Sequence, residues 1–545
     1  MSDVKNNMEQ IAGAAEGDVH DSGKFTPDDR SLIELLDERA QRFRERTCFI
    51  YRDAPTSYGQ VMDLSKRIGS GLVAAGITKG MRGAVFSPNH PDGFCATLGI
   101  IRAGAIWVPI NPRNSIEDNA AVISRFGCDA LFYHSAFEDA LPRIVEAAGG
   151  SLRSLVCIDR EGTNAPSLAD WAADFPADAP DVPVTPTDVV SIPMTGGTTG
   201  VPKAVALSNR NFNALLHGSE LSAGDYKPVN LMAAPMTHVG GRIALTVMFR
   251  GGTTVVLPAL DPQTVLHQIE KHRVTDVFLP PTAVYMLLDE PNLENFDLSS
   301  LRNIGYGSAP MSLEKLKEAI RRIGPVMRGG FGQTECPMMI TSFPPEEHLA
   351  SASLADDARL RSVGRETVLS RIAIMGDDGT LLPPGEVGEV VVRGPMVCEG
   401  YFEDPEATRA IRRNGWHLTG DIGMLNDDGY LTLVDRKKDM IITGGFNVYS
   451  AEVERALSTI KGIRDTVVIG VPDAKWGEAV KAVVTLDEGA ALSAETIMAR
   501  AKEMLGSVKA PKSVDFVDDL PRTANAKVDK KAVRSRYWQA ESRAI

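Results

Sequence analysis

Short apolar runs alternate with amphipathic helical segments through most of this chain, and that alternation limits its fold more than any other feature. Arg82–Ser87 reads as a buried strand, Gly93–Ala103 as a helix stopped at Gly104, and Ile106–Pro109 as the next strand. Strand, helix and strand in that order need a crossover connection, which implies parallel strands with helices on the sheet faces. The pattern recurs to about residue 340. It opens at Ser31-Leu-Ile-Glu34, a capping box ahead of a helix that puts Leu32, Leu35, Leu36 and Phe43 near one face.

From about Arg361 the texture changes. Asp378-Gly379 and Asp428-Gly429 mark tight turns between short strands such as Gly388–Arg393 and Tyr430–Val434. After the charged run Asp435-Arg-Lys-Lys-Asp439 comes a compact pattern: helix 451–460, strands 466–471 and 479–486, helix 494–505 and strand 514–517. The expectation is an α/β protein with a large N-terminal domain over 31–435, built of parallel-type sheets and helices plus a β-rich subdomain at about 361–435. A boundary at 436–438 separates it from a small α+β C-terminal domain at 439–545. Residues 1–30 are polar and acidic and read as a flexible leader without the basic and apolar regions of an export signal. The Ala/Asp/Pro-rich stretch 165–187 reads as a surface connection.

Composition removes several classes of function. With 545 residues, about 150 per domain allows three to four domain-sized units. Lys+Arg 58 against Asp+Glu 71 leaves a net charge of −13, with no cationic excess to neutralise a phosphate backbone or an anionic bilayer, so nucleic acid and membrane surfaces are not expected partners. The longest apolar stretch, Phe94 to Ile110, is broken by Gly99, Arg102, Gly104 and Pro109, short of the about 20 apolar residues of a spanning helix. Cys48, Cys95, Cys128, Cys157, Cys336 and Cys398 contain no CxxC spacing. A reducing compartment, the cytoplasm, is expected, and the C-terminal Arg-Ala-Ile is not a peroxisomal tripeptide.

The densest chemical signal is Met194-Thr-Gly-Gly-Thr-Thr-Gly-Val-Pro-Lys203, which follows the apolar strand Val189–Ile192. Glycines let backbone N–H groups approach an anion, threonine hydroxyls add donors and Lys203 adds positive charge, so phosphate suits the loop. A flexible hairpin turn is the plainer reading, although threonine is a poor choice for flexibility alone. A Walker A loop is excluded, because Val201-Pro202 separates the last glycine from the lysine.

This loop resembles the signature of the adenylate-forming superfamily of acyl- and aryl-CoA synthetases, adenylation domains and luciferases. Further segments occur in that family's order: Gly305-Tyr-Gly-Ser-Ala-Pro310, Gly330-Phe-Gly-Gln-Thr-Glu335 with Phe331 at a usual Tyr position, Tyr401-Phe-Glu-Asp-Pro, Gly415-Trp-His-Leu-Thr-Gly-Asp421, Asp435-Arg436, Gly444-Gly-Phe-Asn447 and Pro521-Arg-Thr-Ala-Asn-Ala-Lys527. The resemblance runs from about residue 30 to the C-terminus. Ala204 and Ala526 stand where the family usually has glycine.

The resemblance implies ATP, Mg²⁺ and coenzyme A as cofactors and substrates. Thr195, Gly196, Gly197, Thr198, Thr199, Gly200 and Lys203 would cradle the β- and γ-phosphates. Gly307, Ser308, Ala309 and Pro310 with Gly330, Phe331, Gly332 and Gln333 would hold the nucleotide. Thr334 would bond the α-phosphate, Glu335 would hold Mg²⁺, and Asp421 with Arg436 would clamp the ribose. Lys527 would neutralise charge during adenylation, Lys438 would be the hinge at 436–438 of a mobile C-terminal domain, and Gly444, Gly445 and Phe446 would line the pantetheine channel. His238 would gate the carboxylate tunnel, and His238, Arg242, Tyr306, Gly307, Gly332 and Met338 would line the acyl pocket.

Local sequence alone favours blander roles at several of these positions. Asp421 fits a turn acid, Lys527 a solvated basic tail with Lys530 and Lys531, His238 a packed core residue, and Lys438 a plain linker. Arg242 could meet a second polar group of the substrate, although an arginine beside Gly-Gly is more often a surface or ion-pair residue. The combined expectation is an AMP-forming acid–CoA ligase acting on a medium-chain or aromatic acid through an acyl-adenylate. The alternative is a stand-alone enzyme that loads a carrier protein. A nonenzymatic nucleotide sensor conflicts with the full set Thr334, Glu335, Asp421, Arg436 and Lys527, and a serine hydrolase with the missing GxSxG at Ser308. The family suggests a homodimer.

Overall fold

A computed structural model describes residues 18–195, 203–222, 224–351, 353–522 and 528–538. The chain forms two compact units, Met1–Ile372 with Val392–His417, and Ala373–Val391 with Leu418–Ile545. The β-rich strands Arg371–Met375, Val387–Arg393 and Trp416–Leu425 are shared out between them.

The first unit holds two mainly parallel sheets, as the strand–helix alternation requires. In one, Arg82–Phe86 lies between Ile106–Pro109 and Ala130–Tyr133, with Ser154–Cys157 beyond, all parallel. The intervening helix Pro91–Arg102 starts with Pro at its first turn behind His90, whose Nδ1 accepts from Asp92 N. It closes on helix Tyr58–Ala74 through Gly99, where an added Cβ would come within 2.3 Å of Ile68. The other sheet runs parallel through Thr47–Tyr51, Thr253–Val256, Val229–Met232, Asp276–Leu279, Asn303–Tyr306 and Met327–Gln333. It then turns antiparallel into Cys336–Phe343. The capping box forms at both hydrogen bonds, Glu34 N to Ser31 Oγ and Ser31 N to Glu34 Oε2.

Two expectations are corrected. Residues 18–30, read as part of a flexible leader, are tied to the first unit: Val19 O accepts from Gly394 N, Ser22 is buried, and Lys24 pairs with Glu366. Their polarity reflects turn chemistry, with Asp18, Asp21 and Asp28 each accepting from a backbone N–H two residues on. The stretch 165–187 is more than a connection, since Ser167 caps a helix over Leu168–Ala173 that lays Trp171 against Phe132 and Phe175.

The second unit contains the α+β pattern expected near the C-terminus. Ile463–Asp473 and Gly477–Leu486 form a long antiparallel pair, Ser513–Phe516 runs parallel to the latter, and helices Ser450–Leu457 and Ala494–Lys509 supply side chains to the core around Val453, Val468, Val480 and Ile497. Among the described residues no helix is long and apolar enough to cross a membrane. All six cysteines are buried free thiols.

Candidate active site

The glycine–threonine loop hangs from a short antiparallel ladder in which Met194 faces Ala204 and Thr195 faces Lys203, and Thr195 Oγ1 donates to Lys203 O at 3.3 Å. Gly196, Gly197, Thr198, Thr199 and Gly200 lie outside the described residues. At the ladder's end, Lys203 Nζ sits 4.8 Å above the ring of Tyr401, a cation–π distance. Strand Gly400–Tyr401 pairs with the same ladder strand through Val205 and Ala206, which fixes Tyr401 beside Lys203.

Thr334 and Glu335 form the two-residue turn of the hairpin in which Gln333 faces Cys336, which places them side by side at one tip, with Glu335 buried. Tyr401 donates its hydroxyl to Glu335 Oε1 at 2.8 Å, and Cys398 N donates to Glu335 O at 2.8 Å. Burial, with the Glu335 charge beside it, pushes the Tyr401 phenol up, so it stays a donor at neutral pH. On the same strand, Gln333 lies 2.8 Å from His417 Nε2, and Arg412 donates to His417 Nδ1 at 2.7 Å. A guanidinium can only donate, so Nδ1 accepts and the imidazole proton resides on Nε2, which pairs with Gln333 when that amide is turned to present its oxygen. Burial, then the Arg412 charge, lowers His417 to about 3 and keeps it neutral.

The hairpin is tight. A Cβ at Gly330 would meet Thr341 O at 2.8 Å and one at Gly332 would meet Met338 N at 2.7 Å, while Met338 itself holds a φ of 67°. Phe331 is buried, with its N–H on Thr341 Oγ1. Gly307, at the end of the neighbouring strand Asn303–Tyr306, is open: nothing lies closer than 3.8 Å to a Cβ built there. Ser308, at φ 65°, Ala309 and Pro310 are exposed. The Tyr306 hydroxyl is committed to His348 Nε2 at 3.0 Å, and His348 Nδ1 lies 3.0 Å from Pro344 O.

His238 occupies the N-cap of helix Val239–Phe249, its N–H on Pro235 O. Gly240 and Gly241 let this first turn press against its own approach segment: a Cβ at Gly241 would lie 2.2 Å from Met236 O. That packing carries Arg242 inward, where it is 7% exposed. The surface reading of Arg242 is therefore corrected. Burial lowers its guanidinium to about 10, against an opposing pull from Glu335.

In the second unit, Asp421 and Arg436 face each other across antiparallel strands Trp416–Leu425 and Leu431–Arg436, with Arg436 Nε 3.1 Å from Asp421 Oδ1. The Asp421 side chain is 8% exposed and that of Arg436 55%, so the pair presents its cationic partner outward. Lys438 is half-buried, and burial, then the Arg436 charge, pushes its amine down. Gly444 and Gly445 hold φ of 58° and 81°, Gly444 N donates to Trp476 O at 2.8 Å, and a Cβ at Gly444 would strike the Trp476 ring at 2.6 Å. Phe446 beside them is 60% exposed. Lys527 lies outside the described residues. Its flanks, Arg522 and Val528, are bridged.

The structure thus gathers Lys203, Glu335, Gln333 and the hairpin glycines in one unit, and Asp421, Arg436, Lys438 and Gly444–Phe446 in the other. Sequence reasoning assigned nothing to Tyr401, Arg412, His417 or Trp476. Tyr401 and His417 stand inside segments quoted for the family resemblance, whereas Arg412 and Trp476 carry no local signal at all.

The AMP-binding enzyme model matches residues 36–402, and that of the AMP-binding enzyme C-terminal domain matches 452–527. The chain is 35% identical over 538 residues to the medium/long-chain-fatty-acid–CoA ligase FadD8 of Mycobacterium tuberculosis, spanning 94% of this chain and 91% of that one. It is 35% identical over 506 residues to a feruloyl-CoA synthase of Amycolatopsis sp, spanning 92% and 97%. The amide bond synthetase McbA from Marinactinospora thermotolerans superposes with a TM-score of 0.83 at 29% identity, covering 93% of this chain and 100% of that chain.

Proposed function

The chain belongs to the AMP-binding enzyme family as an AMP-forming acid–CoA ligase, and from that premise we propose that it activates a medium-chain or aromatic carboxylic acid as its adenylate and passes the acyl group to coenzyme A. The observation that carries this reading is the Lys203–Tyr401–Glu335 assembly, which sets a cation and a donor-held carboxylate at the root of the phosphate-type loop.

In the first step a substrate carboxylate oxygen attacks the α-phosphorus of ATP, the bond to the bridging oxygen breaks and pyrophosphate leaves. Thr195–Lys203 hold the departing phosphates, Thr334 donates to the α-phosphate, and Lys527 meets the charge that gathers there. A single carboxylate at a hairpin tip fits Mg²⁺, which takes few protein ligands and completes its shell with phosphate oxygens and water; Glu335 would hold it, and the bound ion would neutralise the polyphosphate. Among the described residues no cluster of three acidic, histidine or cysteine side chains offers a closed protein cage instead.

The adenine lies along Gly307–Pro310 and Gly330–Gln333, where the open face of Gly307 leaves room for a flat ring. Asp421 accepts from the ribose hydroxyls, and Arg436 adds a donor. In the second step the CoA sulfur attacks the acyl carbonyl, the acyl–phosphate bond breaks, AMP leaves and the thiol proton passes to solvent or AMP. Gly444, Gly445 and Phe446 form the pantetheine wall, and 436–438 with Lys438 is the hinge between domains 31–435 and 439–545. His238, Tyr306, Gly307, Gly332 and Met338 line the acid's pocket, where polarizable methionine and small glycines accommodate an apolar group.

The test is pyrophosphate release from ATP and Mg²⁺ across short, medium, long, aryl and polycyclic acids, with and without CoA, alongside detection of acyl-CoA. Release stimulated by CoA for one acid class supports the reading and identifies the class. Release indifferent to CoA, with transfer to a carrier protein's pantetheine arm, replaces it with carrier loading.

A further inference from the structure

Resting on the acid-activating reading above, we propose that Arg242 receives an anionic oxygen at the reacting end of the acyl site, from either the incoming carboxylate or the α-phosphate of the nucleotide. Arg242 is 7% exposed, and among the described residues no hydrogen bond or ion pair within 4.0 Å engages its guanidinium, whose nitrogens are not sealed off but reach open space within the fold. Burial of a guanidinium without a paired acceptor is costly, and such a group persists where a ligand completes it. The residue sits in the first turn of the eleven-residue helix Val239–Phe249, four residues after His238, and this helix end already favours negative charge.

What fixes which end of a substrate Arg242 meets is its charged neighbour. Glu335 is the carboxylate whose field reaches Arg242, and Glu335 stands on the same hairpin tip as Thr334. Once Glu335 is engaged by a divalent cation, its pull on Arg242 is offset, and the guanidinium is left to an incoming anion. A second polar group far along the acid would sit away from that tip. A bidentate guanidinium matches the two oxygens of a carboxylate or of a phosphate, which a methionine or leucine at this place could not hold.

The experiment uses the full chain with Arg242→Met and Arg242→Lys, and measures pyrophosphate release against both acid and MgATP concentration. The expected result is a KM for the acid raised about 10-fold or more in the Met variant, partly restored by Lys, with the KM for MgATP within twofold, as loss of a charge-assisted pair predicts. A rise confined to MgATP assigns the α-phosphate as the source. If both KM values and kcat stay within twofold of the parent at an unchanged melting temperature, the inference falls. A loss seen solely with acids that bear a second acceptor also overturns it, in favour of a distal contact. If the Met variant fails to fold, the Lys variant decides by the same split, because its shorter point charge cannot grip two oxygens. A parent protein that releases no pyrophosphate with any acid refutes the ligase reading itself and is thus told apart from failure at Arg242.

Discussion

Tyr401 donates its hydroxyl to Glu335 at 2.8 Å while its ring underlies Lys203 at 4.8 Å, so one aromatic residue orients both a carboxylate and a cation of the candidate site. Tyr401→Phe separates the two contacts, since phenylalanine keeps the ring and loses the donor. A hydrogen bond to a charged acceptor contributes about 1.5–3 kcal/mol. The expected outcome is a rise of about 10-fold or more in the Mg²⁺ concentration for half-maximal adenylation, with kcat at saturating Mg²⁺ little changed. Tyr401→Ala should cost more, because Lys203 then loses its ring. Equal Mg²⁺ requirements in the parent and Tyr401→Phe would remove this hydrogen bond from any role in metal use.

Two glycines predict opposite phenotypes. A Cβ at Gly332 meets backbone, Met338 N at 2.7 Å and Met338 Cα at 2.8 Å, which cannot rotate away. Gly332→Ala should therefore lower the melting temperature and weaken ATP binding together. At Gly307 the nearest atoms are 3.8 Å away, so Gly307→Ala should leave the melting temperature within about 1 °C while raising the KM for ATP, because the methyl enters space assigned to adenine. Calorimetry beside nucleotide titration checks both.

The parallel sheets and the C-terminal α+β unit are legible in the sequence because their signals are local: an apolar run, a cap at Ser31, a glycine stop at Gly104. The Thr334–Glu335 tip and the Asp421–Arg436 pair are legible through family motifs. What stays hidden depends on partners far apart in the chain. His417 meets Gln333 across eighty-four residues, with Arg412 holding its other nitrogen, and nothing local distinguishes them from a polar hairpin. Arg242 is named for the acyl pocket through the family resemblance, but its burial is hidden locally for a related reason. Adjacent glycines look like a surface turn in sequence, yet here they permit the close approach that buries the next side chain.

Buried neutral histidines make the first unit acid-sensitive. His417 is lowered to about 3, His348 to about 4 and His90 to about 4, each chiefly by burial. Their folded values lie below the unfolded value near 6.5, so the unfolded chain binds more protons and stability rises with pH. Full stability is present above about pH 6.5 and declines as pH falls towards 4, by about 1.4 kcal/mol per pH unit for each group. Thermal unfolding between pH 7.5 and 4.5 should show this loss. His348→Gln, which removes one of the protons, should flatten the dependence even if it lowers stability at pH 7.5. A slope unchanged by that substitution would mean that other groups dominate.

On the proposed reading the two half-reactions call on different residues of the second unit, which makes them separable. Lys527→Ala should cut adenylation by on the order of 10²–10³ while leaving thioester formation from supplied acyl-adenylate largely intact. Gly444→Ala should do the reverse. Gly444 holds φ 58° and a Cβ there would meet the Trp476 ring at 2.6 Å, so alanine must shift either the backbone or the indole beside the proposed pantetheine wall. Pyrophosphate release without CoA reports the first step, and AMP release from supplied acyl-adenylate with CoA reports the second. If both variants slow both steps equally, the residues act through general stability and the alternation of Lys527 with the glycine strand about Lys438 fails. If each variant slows its own step, the assignment of one catalytic duty to each segment stands, and a double variant should lose both.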